Sequence, residues 1–130
     1  MINTRVIEKK WQKRWEEEGV FTAKNNSDKE KYYILVEFPY PSGAGLHVGH
    51  VRSYTALDAM ARLKRAQGYN VLYPIGWDAF GAPAEQYAIK NHVYPSKMVS
   101  ECIDNFKHQI KALGISFDWS REINTSSPEY

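Results

Sequence analysis

Two apolar runs of strand length, YYILVEF at 32–38 and YNVLYPI at 69–75, flank a single helical pattern. Residues 48–67 carry Ala56, Leu57, Met60, Ala61 and Leu63 on one stripe, and Gly68 follows as a stop. Strand, crossover helix and strand predict a βαβ unit, whose strands run parallel and whose crossover is almost always right-handed. The first run is nearly continuous in apolar and aromatic residues. That pattern predicts an inner strand buried on both faces. With 130 residues the chain is long enough for one domain with a real core.

The remaining segments fit the same α/β scheme. Ile7, Trp11 and Trp15 recur at intervals of four before Gly19, which predicts an amphipathic helix over 5–18. Asn25 to Lys31 reads as a polar loop, so residues 1–31 form a helix-and-loop prelude to the α/β part at 32–130. A second punctuated loop, GWDAFGAPAEQ at 76–86, leads into a short helix at about 83–91. Val99, Cys102, Ile103, Phe106, Ile110 and Leu113 mark a third helix, closed by Gly114. The tail FDWSREINTSSPEY holds at most one short strand. Both unusual loops follow the C-terminal ends of predicted strands, the edge where open α/β sheets bind ligands.

Composition narrows the function classes. No apolar run is long enough to span a membrane. The N-terminal segment mixes acid with base and lacks an apolar core, unlike a secretory signal, and its glutamates argue against a transit peptide. The single cysteine, Cys102, excludes an internal disulfide and fits a reducing compartment, so a cytoplasmic protein is expected. A net charge of +2 gives no electrostatic case for nucleic acid. The one basic run, Arg62 to Arg65, falls in the last turns of the second predicted helix, where cations complement the helix dipole.

The stretch FPYPSGAGLHVGH, Phe38 to His50, carries the clearest chemical signal. Gly43 and Gly45 can take positive backbone dihedrals and expose N–H groups with no side chain in the way. The helix behind them presents unpaired N–H groups and a partial positive charge at its N-terminus. His47 and His50 are three apart and share one face near that end. Gly49 removes a side chain where a phosphate or flat ring could approach. These features suit an anion bearing a planar group, with ATP the obvious candidate. The segment is neither a P-loop nor a GxGxxG fingerprint, and a histidine pair alone falls short of a zinc site. On residue chemistry alone, a phosphate cradle and a structural turn remain equal readings.

The residues themselves add a resemblance. His47-Val48-Gly49-His50, after an aromatic-Pro-Tyr-Pro-Ser-Gly loop, resembles the HIGH signature of class I aminoacyl-tRNA synthetases. GWDAFGAPAE at 76–85 and DWSREINTSSPEY at 118–130 follow in the order and spacing of the leucyl-tRNA synthetase family. Ala82 stands where that family commonly has leucine, which implies a packing adjustment. The resemblance implies the first half of a Rossmann-like nucleotide-binding fold with a parallel sheet, preceded by an N-terminal helix. Residues 32–130 would be an incomplete N-terminal part of the catalytic domain.

What the resemblance implies for function is activation of leucine by ATP and transfer to tRNA(Leu), with Mg²⁺ carried on the triphosphate. His47 and His50 would meet the ATP phosphates as catalytic groups, and Gly49 would let adenine lie against the backbone. Asp78 would take the leucine ammonium; on its own chemistry a turn or helix-capping aspartate is the favoured reading. Phe38 and Tyr40 would line the amino-acid pocket; ordinary packing at the strand end is the competing reading for Phe38. Trp77, Phe80 and Tyr87 are expected to be structural, Cys102 to be core, and no metal ligands are expected in the chain. The family works as a monomer without membrane contact. Three rivals stay beside this reading: a non-catalytic nucleotide-binding remnant, one piece of a split synthetase, and a synthetase for another aliphatic amino acid.

Overall fold

A computed structural model describes residues 3–43 and 45–130. Its elements are α1 (Thr4–Glu17), β1 (Lys31–Tyr33), α2 (Val48–Ala66), β2 (Asn70–Leu72), β3 (Gly76–Trp77), α3 (Ala82–Lys90), α4 (Pro95–Ala112) and β4 (Ile123–Asn124). A single 3₁₀ turn, Trp119–Arg121, precedes β4. The four helices, the first two strands and one short strand in the tail follow the order the sequence pattern predicts, whereas β3 lies at the start of the stretch 76–86 that reads as a loop.

The segment 70–78 is the structural axis. On one side β2 pairs in parallel with β1, Lys31 facing Asn70 and Tyr33 facing Leu72. The same edge continues through Ile34 N–H to the Leu72 carbonyl at 3.0 Å and Asp78 N–H to the Pro39 carbonyl at 3.1 Å. On the other side β3 pairs in parallel with β4, Gly76 facing Ile123. Asp118 N–H donates to the Tyr73 carbonyl at 2.7 Å, and Thr125 N–H to the Trp77 carbonyl at 3.1 Å. With partners along both edges, Tyr73, Ile75 and Trp77 are fully buried. They join Tyr54, Phe106, Ile110 and Phe117 in the core.

Two expectations need correction. The 32–38 run is not buried on both faces: Ile34 and Val36 are buried, whereas Leu35 is 72% exposed. One face meets the core and the other has no layer against it among the described residues, so burial alternates as the pleat requires. The ladder itself ends at Tyr33 rather than Phe38. On α2 the stripe is also shifted. Tyr54, Asp58 and Ala61 are buried, while Ala56, Met60 and Leu63 are exposed. The apolar pattern missed this face because its centre is a carboxylate.

Asp58 is buried because its oxygens are fully engaged. Oδ1 accepts from Ser116 N–H at 2.7 Å and from the Ser116 hydroxyl at 2.5 Å, and Oδ2 accepts from Arg62 Nε at 2.7 Å. Arg65 donates to the Ser116 hydroxyl at 2.6 Å and to its carbonyl at 3.0 Å. Arg62 also reaches the Gly114 carbonyl at 2.6 Å and lies over the rings of Trp15 and Phe21. Lys64 sits over Tyr32 and Tyr69. The basic run therefore does more than complement a dipole: it ties α2 to the segment after α4 and to the N-terminal part. Helix α1 rests on this bond set and buries no residue fully.

Asp58→Ala strips the carboxylate from the Arg62 guanidinium and from the Ser116 hydroxyl and buried N–H. The expected loss is about 3 kcal/mol of unfolding free energy in urea denaturation. Asp58→Asn keeps an acceptor for Ser116 N–H and loses less. Equal losses for the two variants would contradict the network.

Candidate functional site

The loop between Phe38 and His47 turns on two glycines with positive φ, Gly43 at 78° and Gly45 at 125°. It delivers His47 in extended backbone as the N-cap of α2. Ser, Thr, Asp or Asn usually fill that position; here two imidazoles do the work. The Nδ1 of His47 accepts from His50 N–H at 3.3 Å, and the Nδ1 of His50 accepts from His47 N–H at 3.2 Å. This is a capping box built from histidines. The rings stack, with centroids 3.7 Å apart and planes 19° from parallel.

The box fixes the tautomers. Each Nδ1 is an acceptor, so in the neutral rings each proton sits on Nε2. Both Nε2–H groups are left as donors at the N-terminus of a helix. Gly49 makes the stack possible, since a Cβ there would lie 2.8 Å from the His47 ring. His50 packs further against Tyr54 and edge-on to Phe106. Burial lowers the pKa of His50 from its ordinary 6.5, the neighbouring His47 lowers it further, and Glu37 opposes both. Neutral His50 is the form that the box requires.

The two histidines open into a cleft of about 900 Å³, which Gly49, Phe38, Tyr40 and Asp78 also line. The structure thus brings every site residue singled out from the sequence to one place. Asp78 arrives at the end of the central segment, its N–H held by Pro39. Phe38 is half-buried, its ring lying where a Cβ on Gly76 would be, at 2.5 Å. Its packing role and its position in the cleft are therefore compatible. Tyr40 is 55% exposed and free to turn its hydroxyl. Trp77 is buried and donates its indole N–H to Glu122, which pairs with Lys107. Phe80, expected to be structural, is 76% exposed, and Ala82 is an exposed first residue of α3. The missing leucine at position 82 thus costs no packing among the described residues.

Three further residues with polar groups in the cleft, Glu37, Thr125 and Tyr130, escaped the sequence reading. Glu37 accepts from the Ser53 hydroxyl at 2.8 Å. It was absorbed into an apolar strand run, although a lone carboxylate in such a run is itself a signal. Thr125 accepts from Ala79 N–H at 2.9 Å and, with Tyr130, lines the far wall. Their positions depend on the tail pairing with β3, which no local pattern announces. Among the described residues no group of three or more His, Cys, Asp or Glu is placed to hold a metal ion. No described helix is long and apolar enough to cross a membrane.

The parallel α/β unit carries its paired histidines at the first crossover helix, and residues 32–128 match the family model for class I tRNA synthetases (M). The chain belongs to that family. It is 62% identical over 128 residues to the leucine--tRNA ligase of Alkaliphilus oremlandii (strain OhILAs), covering 98% of this chain and 16% of that protein. Among solved structures it superposes with a TM-score of 0.90 on LeuRS of Agrobacterium radiobacter K84, in a ternary complex with tRNA and LeuAMS. That match has 43% identity and covers 95% of this chain and 16% of the other. Mycobacterium tuberculosis methionyl-tRNA synthetase, in complex with methionyl-adenylate, matches with a TM-score of 0.71 and 36% identity. There the coverage is 77% of this chain and 19% of that one. The chain therefore spans about a sixth of the length of these relatives.

Because the folded chain holds His50 below its ordinary pKa, the unfolded chain takes up the proton first as pH falls. The stability due to neutral His50 is present above about pH 6.5 and is lost as pH drops through the folded value. The melting temperature should fall as the pH is lowered below about 6.5. His50→Gln keeps an acceptor for His47 N–H without a titrating ring, and its profile should be flatter. An unchanged slope in His50→Gln would contradict the assignment.

Proposed function

We propose that this chain supplies the ATP- and leucine-binding part of a leucine–tRNA ligase. In that reaction a leucine carboxylate oxygen attacks the α-phosphorus of ATP, the bond to the β-phosphate bridge breaks, and pyrophosphate leaves. The leucyl group of leucyl-adenylate then passes to tRNA(Leu). The first step needs no covalent enzyme nucleophile, so the protein contributes positioning and charge stabilisation. One observation carries the reading: the reciprocal histidine box, which aims two Nε2–H donors from a helix N-terminus into the cleft that Asp78 shares. The 62% identity to a leucine--tRNA ligase supports the choice of amino acid.

In this reading His47 and His50 donate to phosphate oxygens as charge moves toward the leaving pyrophosphate. Gly49, whose bare Cα seats the His47 ring, offers its own backbone to adenine. Asp78 pairs with the leucine ammonium, and Phe38 and Tyr40 flank the amino acid. Mg²⁺ comes with the nucleotide as the Mg²⁺ salt of ATP, and shields its phosphate charge. Contacts to tRNA belong to the complete enzyme, which acts as a monomer away from membranes. The free, buried Cys102 suits the reducing cytoplasm.

The match to methionyl-tRNA synthetase keeps a second amino acid in view. The test is leucine-dependent ATP–pyrophosphate exchange by the purified chain. His47→Ala with His50→Ala should lower exchange by about a hundredfold or more. Asp78→Ala should raise the leucine concentration required by about tenfold or more. Exchange indifferent to the histidines would overturn the reading. Nucleotide binding without exchange would mark a remnant or one piece of a split enzyme, the latter if a chain carrying the rest restores activity. Exchange supported by isoleucine, valine or methionine in place of leucine would reassign the specificity.

A further inference from the structure

Helix α4 contributes nothing to the lining of the cleft, yet one of its side chains holds the loop that forms it. Gln109 Oε1 accepts from the backbone N–H of Leu46 at 2.7 Å. Leu46 is the residue directly before the N-cap His47, so this bond sets the peptide plane from which the histidine box begins. The same side-chain amide occupies the space that a Cβ at Gly45 would need. A Cβ there would lie 2.4 Å from Gln109 Oε1, at a backbone φ of 125° that disfavours side chains in any case. Other residues on this side of α4 reach the same loop. Cys102 Sγ lies 3.9 Å from the Gly43 carbonyl, and the Phe106 ring stands edge-on to His50 with centroids 6.1 Å apart. Cys102, Phe106 and Gln109 follow helical spacing, so one face of α4 backs the loop from Gly43 to His50.

We propose that Gln109 is a positioning residue for the nucleotide site, acting on ATP through Leu46 and His47 without touching the ligand. The inference rests on the reading of the histidine loop as an ATP site. The mechanism is geometric. An N-cap must sit in extended backbone, as His47 does at φ −106° and ψ 169°. The Leu46 bond restrains the peptide that leads into it. Without an acceptor at position 109, the Leu46 N–H turns to water and the loop samples other approaches to α2. The Nε2–H donors then spend less time aimed at the cleft.

The test is a double-mutant cycle on the whole chain with MgATP as the probe, following backbone and imidazole NMR shifts in titrations. Gln109→Met keeps the volume and removes the acceptor. It should weaken MgATP binding by about fivefold to tenfold and abolish the protection of the Leu46 amide against exchange with solvent. In a His47→Ala background the same substitution should cost less than about twofold, because the route through His47 is already cut. Gln109→Glu retains an acceptor and should keep the Leu46 amide protected. Unaltered affinity in Gln109→Met, or an equal loss in both backgrounds, would overturn the role of Gln109 and leave the ATP site standing. Loss of Leu46 protection in Gln109→Glu would do the same, even if Gln109→Met failed to fold. A wild-type chain that shows no saturable response to MgATP would instead remove the ATP reading on which the inference depends.

Discussion

The whole arrangement depends on segment 70–78 being hydrogen-bonded along both edges. Its register against β1 places the Pro39 carbonyl opposite Asp78, and its register against β4 places Thr125 beside Ala79. A slip of one residue on either side would turn every side chain of the segment to the other face. Tyr73, Ile75 and Trp77 would leave the core, and Asp78 would leave the cleft. The buried network around Asp58 defends that register from behind. It locks α2 to Ser116 while Asp118, two residues on, bonds to Tyr73. Sheet register and helix position are thus fixed by one contiguous set of polar contacts.

On that frame the histidine pair does two jobs with two different nitrogens. Nδ1 of each ring completes the helix end, and Nε2 of each takes no part in the capping. An aspartate cap would satisfy the helix as well, but an ionised carboxylate would present no donor beyond it. The structural-turn and phosphate-cradle readings of this loop are therefore not competitors. The capping that makes it a turn is what orients its donors.

Much of this was legible in the chain itself. The βαβ order follows from run lengths and periodicity, and the helix ends from Gly68 and Gly114. The site residues came from the resemblance of FPYPSGAGLHVGH and GWDAFGAPAE to a known family; on residue chemistry alone the first loop reads equally as a structural turn. What was not legible was set by partners far along the chain. Leu35 carries the same apolar signal as Ile34, and only the presence or absence of a facing layer separates them. Asp58 looked like a polar interruption in a helix stripe until Ser116 and Arg62 surrounded it. Gln109 reads as an ordinary polar position on α4, and its meaning lies in a contact with Leu46 that no local pattern encodes. Gly76 likewise looks like a turn residue, although its bare Cα is the seat of the Phe38 ring.

The central claim is that the two imidazoles are held as Nε2–H tautomers by reciprocal capping and aimed at phosphate. Long-range ¹H–¹⁵N correlation spectra of the imidazoles, recorded near neutral pH with and without MgATP, test it most directly. The account predicts unprotonated Nδ1 and protonated Nε2 in both His47 and His50 of the free chain, with Nε2 resonances that move on adding nucleotide. A proton on Nδ1 of either ring in the free chain, or Nε2 signals indifferent to MgATP while other residues respond, would contradict it.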